Sequence, residues 1–395
     1  MERPSINTIY DWVIVGGGIH GAHIAIRLLE HQKSNQKMIR IVDPNPSLLN
    51  NWKDQTSATK MTYLRSPSVH NLAIDSLSLK KFAGKKPQNR RGKFTQPYYR
   101  PRLDLFNHHC KVLLEKYSAD SLHIREKVES VEIINNTVYL QTNKGRSLRS
   151  KKIVLALGQS DKRQIPSWVS KENLRVEHLF SPHFDWNQTK KLNTIAVIGG
   201  GISAVQAALY GASSGLKVYL VSRHPVRKFQ FDSDPGWLGP KYMGNFSSEK
   251  NYQKRRQYIL QSRNIGSVPP ELWLKVLGQI REKNIFFHQE KISSYKEEES
   301  QCQLTLESSK ELKVDQVILA TGFQKIRPGG GMVSRLIEKY NLPTADCGFP
   351  VVDSSLAWHP LIYVSGALAE LEIGPVAKNI AGARVAGEKI ASLSG

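Results

Sequence analysis

The chain has 395 residues, 40% of them hydrophobic, and 56 Lys and Arg against 34 Asp and Glu give a net charge of +22. This length and composition exclude a disordered or fibrous chain and fit a globular protein of about two domains. No run approaches the roughly 18 apolar residues of a membrane span, and Met1 to Asn7 lack the apolar centre of a signal peptide, so a cytoplasmic protein is expected.

The first element is the stretch Val13 to Gly21. It reads as a short apolar strand from Trp12 to Val15, a glycine turn and the start of a helix carrying Ala22, Ile24, Ala25, Leu28 and Leu29. Gly16, Gly18 and Gly21 fit G-x-G-x-x-G. The first glycine permits the turn, the second lets backbone approach a pyrophosphate, and the third lets helix pack on strand. The helix N-terminus would face the phosphates with free N–H groups and the positive end of its dipole. A second strand, Met38 to Val42, ends in Asp43, 22 residues beyond Gly21. An acid there can accept the hydroxyls of an adenosine ribose.

A loop-rich stretch follows from Pro44 to Ser78, including Lys60 to Pro67. Lys80 to Arg102 then carries nine basic residues and no acid, with Phe82, Phe94, Tyr98 and Tyr99 interleaved. Such a segment suits a solvated basic loop, or contact with an anionic membrane surface or an acidic partner. Nucleic acid is the least favoured partner. Arg102 to Tyr117 has helical spacing, and Leu122 to Ile124 reads as a buried strand. Hairpin signals between Val128 and Ser150 lead into the apolar run Ile153 to Gly158, which suits a parallel strand covered on both faces. Asp161 to Leu192 reads as a polar connection.

The pattern then restarts. Thr194 to Ala204 is a second strand, turn and helix start, with Gly199, Gly201 and Ala204 giving G-x-G-x-x-A. Its second strand is Leu216 to Ser222. Ile285 to Phe287, the region Lys291 to Val314 and the run Val317 to Gly322 repeat the order of the first half. The tail holds one more apolar run, Leu361 to Gly366, and a predicted helix opening at Gly374-Pro375 with Val376, Ile380, Ala383 and Ala386 on one face. About seventy residues are too few for a third domain of usual size. The expected fold is therefore α/β, with two Rossmann-like dinucleotide-binding domains and the second inserted in the first. The predicted parts are residues 1–165, 190–322 and 323–395.

The two strand ends differ. Asp43 suits the unphosphorylated ribose of FAD. Arg223, followed by Arg227 and Lys228, suits the 2′-phosphate of NADPH, which an acid would repel and an Arg can pair bidentately. The first fingerprint is thus read as the FAD site and the second as the NADPH site. No C-x-x-C occurs among Cys110, Cys302 and Cys347, and His108-His109 lack a companion ligand at metal spacing, so no redox dithiol or metal site is expected.

With two fingerprints, the strand end Leu319 to Phe323 and the terminal Gly366 and Gly374-Pro375, the chain resembles two-dinucleotide-binding-domain flavoproteins. Within these it resembles flavin-dependent monooxygenases, especially the N-hydroxylating ornithine and lysine monooxygenases. The resemblance implies FAD reduced by NADPH, a flavin C4a-hydroperoxide formed with O₂, and transfer of oxygen to a small nucleophile such as an amine or sulfide. It also implies that Gly158, Gly322, Gly366, Gly374 and Pro375 join Gly16, Gly18, Gly21 and Asp43 around FAD. The loop carrying Met61 and Arg65 would lie near the flavin ring. Lys60 and Arg65 stand where that family has glutamine and lysine, which weighs against an ornithine- or lysine-like substrate. Arg65 would hold an anionic substrate or phosphate, or make a structural salt bridge. His70 reads as a packed loop residue, His183 to Trp186 as linker, and Phe229 to Gly239 as a lid or a structural loop. The alternative activity is an NADPH-dependent reductase or oxidase without oxygen insertion, and a flavin-bound sensor is the reading from outside enzymology.

Overall fold

The structure is a computed structural model that describes residues 8–31, 34–159, 162–170 and 173–392. The signal-peptide reading of Met1 to Asn7 and the position of Asp161 lie outside the described residues.

The first half forms β1 (Ile9–Val15), α1 (Ile19–Glu30), β2 (Ile39–Val42), α2 (Leu103–Lys116), β3 (His123–Ile124), β4 (Val128–Ile134), β5 (Thr137–Thr142) and β6 (Ser147–Leu155). β1 is the centre. It pairs in parallel with β2 on one side and β6 on the other. Val13, Ile14, Ile153 and Val154 are fully buried, because both faces of this parallel core are covered. β6 merges two expected elements. Its start runs antiparallel to β5 and its end parallel to β1.

The chain then builds a second sheet from β7 (Val176–His178), β8 (Thr194–Ile198), α3 (Ile202–Ser213), β9 (Lys217–Val221), α4 (Pro270–Arg281) and β10 (Ile285–His288). An antiparallel unit, β11 (Ile292–Glu297), β12 (Cys302–Leu306) and β13 (Glu311–Val314), leads to β14 (Gln316–Leu319). The strand order is β10-β9-β8-β14-β7, all parallel. The edge strand β7 arises within the stretch expected to be a polar connection, so this sheet begins near Val176. Three residues are too short a run to show a period in sequence.

The tail returns to the first half. After α5 (Gly330–Tyr340), β15 (Ile362–Val364) pairs in parallel with β6, and α6 (Ile380–Ala391) packs on α1. Val333 and Leu336 of α5 join the same apolar core as β1. The second sheet is thus inserted, in sequence, between strands of the first. One expectation is corrected: the last helix opens at Ile380, not at Gly374-Pro375. Gly374 takes φ of +83°, and Ala377 N–H and Asn379 N–H donate to Gly374 O and Val376 O. These turns intervene before extended Asn379 caps the helix.

Candidate active site

The two glycine turns obey the same sterics. Gly16 has φ of +117°, and a Cβ on it would lie 2.4 Å from Ala156 O. Gly199 has φ of +148°, and its Cβ would lie 2.5 Å from Ala320 O. A Cβ on Gly21 would lie 1.9 Å from Gly16 O, whereas Ala204 fills the matching place of the second turn. Gly18 differs from its neighbours: no heavy atom lies within 4 Å of where its Cβ would be. The first turn therefore presents open, side-chain-free backbone at the start of α1, the cradle a dinucleotide pyrophosphate needs.

Asp43 sits against this turn. Gly17 N–H donates to its Oδ2 at 2.7 Å, and Asn45 donates its N–H and Nδ2 to Oδ1 at 2.9 and 2.7 Å. A carboxylate has about four lone-pair sites, so one remains for a ribose hydroxyl. At the second turn, Ser222 and His224 stand behind Gly200, where its Cβ would meet their side chains at 2.2 and 2.6 Å. Gly266 faces Gly201. Arg223 is exposed and has no hydrogen-bond or ionic partner among the described residues, and Arg227 is exposed beside it.

A cavity of about 480 Å³ opens from α1 into the cleft between the halves. Six stretches of the chain build it: Ile19 and His20, Trp52, the loop with Met61 to His70, Tyr98, residues 231–238 of the second half, and Val376 to Ala381. Met61 and Arg65 both line it. Val376, Lys378, Asn379 and Ile380 bring the start of α6 to its wall. Gly366 lies beside the His20 ring. Gly374 instead faces Met243 and Phe246, and Pro375 O accepts from Arg263 at 3.0 Å, so both sit in the contact between the halves. Gly158 is exposed just beyond β6. Gly322 has φ of +77°, and its carbonyl accepts Gln164 N–H at 2.8 Å.

Arg65 is tied to the second half. Its Nε donates to Gln230 O at 3.0 Å. Its Nη2 donates to Phe229 O, Phe231 O and Ser267 Oγ at 2.7, 2.9 and 2.8 Å, and its Nη1 pairs with Asp232 Oδ1 at 2.7 Å. All three nitrogens are engaged, so the segment from Phe229 is held in place by a side chain from the first half. Arg100 acts similarly. It is buried and pairs with Glu271 of α4 at 2.7 Å. This corrects its place in the basic segment, because it does not face solvent. Arg102 pairs with Asp104.

Several polar residues at the cavity were not legible as site residues. His20 lies inside the glycine motif. Its Nδ1 hydrogen-bonds with Ser365 Oγ at 2.8 Å, and the backbone of Lys378 and Asn379 faces the ring. Burial pushes its pKa down to about 4, so the ring is neutral at pH 7. His70 is likewise pushed down to about 4 by burial. Lys378 lies 3.0 Å from Glu370 Oε2, and Glu370 also pairs with Arg256. Burial, with Arg263, Arg256 and Lys325 nearby, lowers Lys378 to about 7. A histidine between the second and third glycines was the one signal available for this cluster.

The fold matches known proteins. A family model described as FAD-NAD(P)-binding matches residues 13–160. The model for L-lysine 6-monooxygenase/L-ornithine 5-monooxygenase matches residues 106–325, more than half of the chain. The chain belongs to that family. It is an FAD- and NADPH-dependent monooxygenase. An uncharacterized oxidoreductase CzcO of Bacillus velezensis is 22% identical over 321 residues, covering 80% of this chain and 82% of that one. Two solved structures share the fold. DfoA of Erwinia amylovora, a cadaverine monooxygenase bound to FAD, has a TM-score of 0.75 at 17% identity, covering 97% of this chain and 95% of that one. The ornithine hydroxylase PvdA of Pseudomonas aeruginosa has a TM-score of 0.75 at 17% identity, with 97% and 98% covered. Among the described residues no group of side chains could hold a metal ion, and no helix is long and apolar enough to cross a membrane.

Proposed function

We propose that the chain oxygenates a small nucleophile, an amine ahead of a sulfide, in the cavity between its halves. The carrying observation is the open cradle at Gly18, which leads through Ile19 and His20 directly into that cavity. Gly16, Gly18 and Gly21 would hold the FAD pyrophosphate at the N-terminus of α1, with Asp43 accepting a ribose hydroxyl. Gly199, Gly201 and Ala204 would hold NADPH, with Arg223 on its 2′-phosphate. Met61, Gly366 and the start of α6 would lie toward the flavin end. Bound FAD, reduced by NADPH, supplies the activated oxygen. For an amine the balance is RNH₂ + O₂ + NADPH + H⁺ giving RNHOH + H₂O + NADP⁺. The protein's part is to keep the cavity dry and close both cofactors on one substrate. Arg65 fits a positioning role there, because its nitrogens fasten the segment 229–232 over the cavity.

Labelled O₂ tests this reading. Substrate-accelerated NADPH oxidation should place one labelled oxygen in the product. Release of all reducing equivalents as hydrogen peroxide, or faster anaerobic turnover with a quinone, would instead establish the reductase or oxidase alternative.

We also propose that the cavity mouth rests against an anionic lipid surface. Val69, Tyr98 and Leu238 line the cavity, yet are 39%, 52% and 44% exposed. Tyr99 and Phe82 are also exposed, and Lys80 lies over the Tyr99 ring at 4.8 Å. Lys85, Lys86 and Arg91 of the same sequence segment are exposed. Exposed aromatics and lysines together favour an anionic interface over plain solvent. Holoprotein should sediment with phosphatidylglycerol vesicles at low salt and not with phosphatidylcholine vesicles. Equal recovery with both would refute the proposal.

A further inference from the structure

We infer that Lys378 is the counter-charge for the flavin, its ammonium holding the negative charge that FAD gains on reduction, an assignment that rests on the reading above of FAD along the first glycine turn with its flavin end toward α6. Hydride transfer balances as FAD + NADPH giving FADH⁻ + NADP⁺. The flavin gains one negative charge in that step.

The charges at the cavity leave room for an anion. Glu370 is buried and shared by Arg256 and Lys378. Asp232 is shared by Arg65 and Arg263. Four cations thus meet two carboxylates, and Lys325 is near enough to Lys378 to add a fifth charge. Asp234 also lines the cavity, but it is exposed and screened by water.

Of these cations Lys378 is the one placed to act. Arg65 has every nitrogen engaged by carbonyls, Ser267 and Asp232. Arg263 is divided between Pro375 O at 3.0 Å and Asp232. Arg256 lies over the Phe349 ring at 4.3 Å. Lys325 is exposed. Lys378 lines the cavity, and among the described residues its one ionic contact is Glu370. An ammonium carries three donors. The backbone of Lys378 and Asn379 faces His20, which sets this segment against the first glycine turn. The apolar lining from Ile19, Met61, Val376 and Ile380 limits screening by water, so a charge gained there is felt strongly.

Reduction then draws a proton. The groups facing Lys378 are Glu370, Arg256, Arg263 and Lys325, with the neutral His20 against its backbone. Burial and the three neighbouring cations lower it to about 7. A negative flavin raises it again. Above about pH 7 much of the oxidised protein therefore holds a neutral amine at Lys378, and reduction puts a proton on its Nζ in addition to the hydride on the flavin.

Spectroelectrochemical titration of the FAD-loaded protein reads this without turnover. In the parent, the flavin potential should fall with pH more steeply above about pH 7 than below it. At about pH 6, where Lys378 is charged, Lys378→Met should lower the ratio of reduced to oxidised flavin at a fixed potential about tenfold, which is about 30 mV for a two-electron couple. The steepening should vanish in that variant. Lys378→Arg carries its charge at every working pH, so it should keep the parent's potential at low pH and lose the steepening. A parent without the steeper limb would overturn the inference, as would a flavin-loaded Lys378→Met protein with the parent's potential. Retained steepening in Lys378→Arg would overturn it too, and decides the matter if Lys378→Met does not hold FAD. The expected shifts with no oxygenated product would leave this inference standing and remove the oxygenating function beneath it.

Discussion

The two glycine turns solve one steric problem and then diverge. Each lets a strand end pass within contact of a neighbouring carbonyl, Ala156 O in the first and Ala320 O in the second. Only glycine tolerates both that approach and the positive φ. Beyond this the surroundings part. The first turn is backed by the Asp43 carboxylate and is open at Gly18. The second is backed by Ser222 and His224, faces Gly266, and lies beside the exposed Arg223. Backbone geometry thus makes the cradle, and the residue closing the second strand differentiates its ligand. The turn alone carries no preference between FAD and NADPH.

The largest test breaks the first turn outright. Gly21→Val places a branched side chain where even a Cβ would lie 1.9 Å from Gly16 O. α1 must move away from β1, and their shared core opens. We expect loss of folded, flavin-loaded protein, read as absent yellow colour and a transition lowered by more than 10 °C, from a cost of several kcal/mol at about 2–4 °C per kcal/mol. Gly18→Val is the selective companion. Its Cβ meets nothing within 4 Å, so the fold should survive while FAD is lost. Full flavin occupancy in a folded Gly18→Val protein would show that the open backbone at Gly18 does not hold the pyrophosphate.

The turns, the buried parallel strands and the duplication were legible because each rests on a local rule. Glycine spacing marks Gly16 and Gly199, and unbroken apolar runs mark Ile153 to Leu155 and Val317 to Leu319. The cavity was less legible. Ile19, Met61, Phe231 and Lys378 meet only through the packing of two sheets, and no spacing in the chain encodes that. Arg100 reads as one more cation in a basic run, yet it is buried against Glu271, 171 residues away. Pro375 resembles a first-turn helix proline, but the left-handed Gly374 directs the chain into separate turns before Asn379. Long-range charge pairing and turn geometry decided those cases, and neither has a one-dimensional signature.

A smaller perturbation sharpens the difference at the strand ends. Arg223→Ala should raise the KM for NADPH about 10- to 100-fold, the 1.5–3 kcal/mol of a charge-assisted contact. The KM for NADH should change less than twofold, since that ribose carries no 2′-phosphate. Flavin content should stay at the parent level, because Arg223 follows β9 at the second turn and Asp43 backs the first. An equal rise for both nucleotides would show that Arg223 supports the turn instead of reading the phosphate.

The smallest effect lies at the third position of each motif. Ala204 is fully buried, and its methyl occupies the space that Gly21 leaves to Gly16 O in the first turn. The second helix therefore stands far enough from its strand to admit one carbon. Ala204→Gly removes that methyl and loosens the first turn of α3. Lost burial and helix propensity together cost about 1–2 kcal/mol, or a few degrees in the transition by the same scaling. The N–H groups that would face NADPH remain, so its KM should move less than twofold. Calorimetry and steady-state kinetics on one sample separate the two quantities. A KM rise comparable to that of Arg223→Ala, at so small a thermal cost, would mean that helix placement tunes the second cradle as strongly as the charge at the strand end does.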